Sequence, residues 1–192
     1  MSYGLVVIGA SLGGFHALEA VLEDLPPEFP LPIAVVQHRS SDSDELLPTL
    51  LRRKSRLPVV EAEDKQAIIP GQVFIAPANY HLLVEEGHFA LSTEGPVQFA
   101  RPSVDVLFES AADAYREKVV AVLLSGSNSD GARGVSLVKE YGGLAIVQDP
   151  ASAEGRRMPE AAIAAARVDQ VLPLSEIAPF LRKLVSRTEV SL

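Results

Sequence analysis

Short apolar runs alternate along this chain with amphipathic stretches of helical length, and that alternation limits the possible folds more than any other feature. The run Val119-Val120-Ala121-Val122-Leu123-Leu124 has no polar position on either face. A strand that can be buried on both sides belongs in a parallel sheet covered by helices. Leu5–Ile8, Ile33–Gln37, Val59–Ala62, Val73–Ala76, Leu144–Val147 and Gln170–Leu172 read as further strands. Helical patterns span Phe15–Asp24, Asp44–Arg53, Ser103–Tyr115, Asp130–Tyr141, Pro159–Ala166 and Ser175–Ser186, with Ser103, Asp130 and Ser175 as cap residues and Gly142-Gly143 as a left-handed stop. Residues 59–92 are more broken, and Glu86-Gly87 between His81–Glu85 and Phe89–Ser92 reads as a hairpin turn. The expected fold is α/β: a doubly wound, mostly parallel sheet with an antiparallel hairpin at one edge. No repeat or linker divides residues 1–192, so a single domain is expected.

The first strand ends in Gly9-Ala10-Ser11-Leu12-Gly13-Gly14, and a helical pattern follows. Gly-x-Ser-x-Gly between strand and helix is the spacing of a nucleophile elbow, in which small residues allow a sharp turn and expose the serine Oγ. The helix beyond it points free N–H groups at the atom under attack. The same segment also describes a glycine-rich phosphate-binding turn, and the motif by itself leaves both readings open.

Open α/β sheets bind ligands outside the carboxyl ends of their strands, where the strand order reverses. Ser11 follows the first strand, His38 the second, and the loop Ser125-Gly126-Ser127-Asn128-Ser129-Asp130-Gly131 follows Val119–Leu124. A serine, a histidine and an aspartate therefore converge on one end of the sheet. A serine hydroxyl needs an imidazole to take its proton, and the imidazole needs a carboxylate to hold its tautomer. Taken singly, His38 reads better as a polar strand end and Asp130 as a helix cap. Their coincidence at strand ends favours catalysis. His16 and His88 gain no role from position; His81 begins a strand after Pro77-Ala78-Asn79-Tyr80, where lining the site is one reading and a structural role the favoured one. Dinucleotide binding is disfavoured twice: Ser11 stands where the fingerprint has its second glycine, and Gln37-His38 where it has an acid. The scattered histidines form no metal motif. No cofactor or metal is expected.

The chain has no cysteine, which excludes disulfides and thiolate chemistry. Its net charge of −8 argues against nucleic acid or an anionic membrane as the main partner. The basic cluster Arg52-Arg53-Lys54-Ser55-Arg56 reads as a solvated helix end. Neither a membrane-spanning run nor a signal peptide is seen, so a cytoplasmic protein is expected.

The chain resembles the catalytic domain of the chemotaxis protein-glutamate methylesterase family (CheB). The resemblance rests on Gly9–Gly14, Val36-Gln37-His38, Phe74-Ile75-Ala76-Pro77 with His81, and Arg101-Pro102-Ser103-Val104-Asp105. It continues through Leu124-Ser125-Gly126, Asp130-Gly131-Ala132, Gln148-Asp149-Pro150 and Met158-Pro159. It implies a Rossmann-like, doubly wound hydrolase of this family's C-terminal domain type. Such an enzyme demethylates glutamate methyl esters on the cytoplasmic domain of methyl-accepting chemoreceptors, releases methanol and, in some members, deamidates receptor glutamines. It also carries the nucleophile onto Ser11, the base onto His38 and the orienting carboxylate onto Asp130. Oxyanion and substrate contacts are expected from Leu12, Gly13, Gly14, Ser127 and Asn128. This chain departs from the family at Ser127-Asn128, where methionine-glycine is common, and at Leu12, where a smaller residue is common. Those departures keep two other readings in view: a same-fold esterase or amidase with another substrate, and a weakly active binding module. The first strand begins close to Met1, so no phosphorylatable receiver domain is expected ahead of it. Acetyl phosphate is then expected to leave the rate unchanged, with any control coming from a separate regulatory protein.

Overall fold

The computed structural model describes residues 3–38 and 46–186. In chain order the elements are β1 (Leu5–Ala10), α1 (Gly14–Glu23), β2 (Ile33–Gln37), α2 (Leu46–Arg52), β3 (Val59–Glu61), β4 (Val73–Ile75) and β5 (His81–Glu85). They continue with β6 (His88–Ser92), α3 (Val104–Tyr115), β7 (Val119–Leu123), α4 (Ala132–Glu140), β8 (Leu144–Gln148), α5 (Arg157–Ala165), β9 (Gln170–Leu172) and α6 (Leu174–Ser186). The expected helix start at Asp44 lies outside the described residues.

Seven strands form one sheet in the order β3-β4-β2-β1-β7-β8-β9, and every pairing in it is parallel. The chain winds outward from β1 through β2 to β4 and β3, then returns to place β7 on the other side of β1. The switch point therefore lies between β1 and β7, and ligands are expected outside the carboxyl ends of these two strands.

Alternate residues of the central strands feed two separate cores. Val6, Ile8, Ile33, Val35, Val120 and Val122 point into the layer that includes Leu18, Leu22, Leu51 and Leu181 of α1, α2 and α6. Leu5, Val7, Ala34, Val36, Ala121 and Leu123 point into the opposite layer, with Leu107, Phe108, Val135, Val138 and Ala162 of α3, α4 and α5. Every residue of β1, β2 and β7 is buried, as the doubly apolar runs predict.

Three details differ from the sequence reading. The hairpin forms with its turn at Glu86-Gly87, but as a two-stranded sheet of its own and not as an edge of the main sheet. Its Leu82, Val84 and Phe89 join the core beneath α3, and Phe89 meets Phe74 of β4 at 4.9 Å between ring centroids. Ser175 sits inside the first turn of α6 and not at its cap. Asp130 does not cap α4 either. That helix starts two residues later, behind Gly131 in the left-handed conformation with φ 96°, and the Asp130 carboxylate is engaged elsewhere.

Candidate active site

Ser11 directly follows β1. Its backbone N–H donates to Ser125 O (2.9 Å), and its own carbonyl accepts from Gly14 N (2.8 Å) and Gln37 Nε2 (2.8 Å). The elbow needs glycine at its bend: Gly13 has φ 71°, and a Cβ there would lie 2.6 Å from Glu154 Cβ. Gly126 is equally constrained from the facing loop, since a Cβ on it would stand 3.0 Å from Ser11 Cβ and 1.8 Å from Met158 Sδ. Ser125 joins the two loops, donating its hydroxyl to Leu12 O (2.6 Å) and accepting from Gly155 N (2.8 Å).

His38 continues β2 for one residue, with its N–H on Ala10 O of β1 at 2.9 Å. Its side chain is 13% exposed, whereas that of Asp130, from the loop after β7, is fully buried. Imidazole Nε2 lies 2.7 Å from Asp130 Oδ2. The same carboxylate accepts from Ser103 Oγ (2.8 Å), Val104 N (2.7 Å) and Asp105 N (2.9 Å). Burial alone would push this carboxyl up. The hydrogen bonds from His38 and from the N–H groups of Asp105 and Val104 outweigh burial and hold its pKa below the ordinary carboxylate value. An ionised Asp130 can only accept, so Nε2 carries the imidazole proton and Nδ1 presents the lone pair.

Strand order thus brings two of the three sequence candidates, His38 and Asp130, into hydrogen-bond contact, with Ser11 at the end of the strand between theirs. Among the described residues no hydrogen bond joins Ser11 Oγ to His38. The Nδ1 atom instead faces Asn128 Nδ2 at 3.2 Å. Of the expected oxyanion donors, Gly14 has its N–H on Ser11 O. The N–H groups of Leu12 and Gly13 have no such partner among the described residues. Leu12 is half exposed (50%), and Ser127 is exposed on the facing loop. A cavity of about 360 Å³ opens beside the imidazole, lined by His38, Gln98, Phe99, Arg101, Pro102 and Asn128.

Ser103 is legible in the sequence as a helix cap and Asp105 as part of a motif, but their partners across the fold are not. Asp105 is fully buried. It accepts from Gly131 N (2.9 Å), Gly134 N (2.8 Å) and Gln98 Nε2 (2.7 Å). Burial pushes its carboxyl up, the Gly134 N–H offsets this in part, and the nearby Asp130 and Glu109 push it further up. His81 lies beneath the start of α3, bonded to Ser103. It is buried, its Nδ1 accepts from Ser103 N (3.2 Å), and its Nε2 faces Gly95 O (3.1 Å).

Comparison with known proteins gives the family of the chain. Residues 6–181 match the family model for CheB methylesterase. The chain belongs to the CheB methylesterase family. A Leptospira interrogans protein, provisionally named protein-glutamate methylesterase/protein-glutamine glutaminase, is 46% identical over 185 residues, which cover 96% of each chain. Protein-glutamate methylesterase/protein-glutamine glutaminase 2 of Anaeromyxobacter dehalogenans is 47% identical over 94% of this chain. Protein-glutamate methylesterase FrzG of Myxococcus xanthus is 41% identical over 95% of it. This chain spans 53% and 55% of the lengths of those two proteins, about half of each. The crystal structure of the Thermotoga maritima CheB methylesterase catalytic domain superposes with a TM-score of 0.92 at 38% identity, covering 96% of this chain and all of that one. Among the described residues no helix is long and apolar enough to cross a membrane.

Proposed function

We propose that this chain hydrolyses methyl esters of glutamate side chains on a protein, the cytoplasmic domain of a methyl-accepting chemoreceptor, and that Ser11, His38 and Asp130 carry the reaction in the cytoplasm. The observation that carries the reading is the 2.7 Å contact between His38 Nε2 and a buried, hydrogen-bonded Asp130, which follow the two strands flanking β1 and its serine elbow. The proton held at Nε2 leaves Nδ1 as the base. Ser11 Oγ attacks the ester carbonyl, and its proton passes to Nδ1. The N–H groups of Leu12 and Gly13, at the start of α1, supply charge stabilisation to the oxyanion, with the 126–128 loop opposite. Nδ1–H then protonates the departing methoxide, which leaves as methanol. Water repeats the two proton transfers on the acyl-enzyme and frees the glutamate. A glutamine substrate would pass through the same acyl-enzyme with ammonia as leaving group, in keeping with the paired activities in the relatives' names.

The test is methanol release from a methylated receptor cytoplasmic fragment, with wild type beside Ser11→Ala. The reading expects release by the wild type and a loss on the order of 10⁴-fold or more in the variant. Equal release by both would remove Ser11 from the mechanism, and none from either would remove the substrate.

A further inference from the structure

We infer that Asn128 is a latch on the general base: its side-chain amide occupies the His38 Nδ1 lone pair in the resting enzyme and must leave before Ser11 can be deprotonated. This rests on the reading of Ser11 and His38 as nucleophile and base.

The amide cannot be turned round to give a different account. Asn128 Oδ1 accepts from the backbone N–H of Asp130 at 3.1 Å. A backbone N–H only donates, so the oxygen must face it and the Nδ2 must face the imidazole, which it does at 3.2 Å. The imidazole is fixed in the same way. Nε2 donates to a carboxylate already held by Ser103, Val104 and Asp105, so the one acceptor atom of the ring is Nδ1. A donor and the lone pair therefore meet where the Ser11 proton has to arrive.

Proton transfer reverses the match. Once Nδ1 carries the proton from Ser11, two N–H groups oppose each other, so the amide has to have moved away. Asn128 lines the same cavity as His38, so a substrate entering there has room to displace the amide. Among the described residues Asn128 makes no hydrogen bond to Ser11; it acts through His38 Nδ1, as a positioning residue whose rest position slows the chemistry.

Asn128→Ser separates the two contacts. A serine still offers an oxygen to the N–H two residues on, but does not reach the imidazole. The experiment follows labelling of Ser11 by a fluorophosphonate, in which Oγ bonds to phosphorus and fluoride leaves, for wild type, Asn128→Ser, Asn128→Ala and Ser11→Ala. The expected result is labelling roughly 2–10-fold faster in both Asn128 variants, from the worth of one neutral hydrogen bond, and none in Ser11→Ala. A purely structural role would slow labelling. An Asn128→Ser protein with unaltered Tm that labels no faster overturns the latch. Labelling of Ser11→Ala at the wild-type rate instead overturns the nucleophile reading beneath it. Should both Asn128 variants fail to fold, ¹⁵N correlation of the His38 ring in the wild-type protein decides. The latch requires the Nε2–H tautomer with a hydrogen-bonded Nδ1, and an Nδ1–H tautomer excludes it.

Discussion

Asp130 accepts four hydrogen bonds without contact with solvent, and that count explains why one carboxylate cannot be exchanged for its amide here. In Asp130→Asn the new NH₂ would face at least one donor, either the imidazole N–H or one of the groups from Ser103, Val104 and Asp105. The imidazole would be driven toward the other tautomer, with its proton on the atom that has to act as base. Turnover should fall on the order of 10⁴-fold with KM little changed, as measured by methanol release under saturating substrate. The residue identities behind this were legible in the sequence, because serine, histidine and aspartate each follow an apolar strand. The bonding of Asn128 was not. Its side chain has two polar atoms and could serve either neighbour, and only the positions of His38 and the Asp130 N–H decide which way it faces.

At the scale of elements, α3 and α4 cap each other through exchanged carboxylates. Asp130, in the loop before α4, accepts from the first N–H groups of α3; Asp105, in the first turn of α3, accepts from Gly131 and Gly134 at the start of α4. Each helix start thereby places a buried carboxyl group against N–H groups that have no partner within the helix. Ala at 105 would strand two backbone donors and the Gln98 amide. The expected cost is about 2–5 kcal/mol, read as a fall in Tm of roughly 5–15 °C in a chain of this size. The turn 97–100 carries the opposite kind of strain. Gln98 and Phe99 have φ of 46° and 65°, and Phe99 is fully exposed. Phe99→Gly should therefore raise Tm by about 1–3 °C, since the ring buries nothing and glycine tolerates that backbone. A lower Tm would mean that the ring packs in solution. Helices and strands at these positions follow from local patterning. The exchange of caps does not, because the partners lie 25 or more residues apart.

The two buried carboxylates pull the pH dependence of the whole molecule in opposite directions. The Asp130 pKa is lowered on folding, so at acid pH the unfolded chain binds the extra proton and stability rises with pH. Its contribution is complete above the ordinary carboxylate range and is lost as pH falls through the folded value. The Asp105 pKa is raised, so its contribution is present at low pH and is lost as pH rises through the folded value. Thermal melts from about pH 3 to pH 7 should show the difference in Tm between wild type and Asp130→Asn shrinking toward acid. The difference for Asp105→Asn should move the other way.

Local patterning suffices for the α/β class, the strands and their doubly buried character, the elbow at Ser11 and the approach of His38 and Asp130 to one end of the sheet. These follow from local patterns: a strand's faces and a turn's glycines are set within a few residues. That the hairpin leaves the sheet edge to pack beneath α3 is a matter of packing between distant segments, because its apolar face fits either surface. The same holds for the bonding of Gly14 to Ser11, of Asp105 to the start of α4 and of Asn128 to the imidazole. A hydrogen-bond partner is chosen by which donor the fold brings within about 3 Å, and spacing along the chain does not carry that distance.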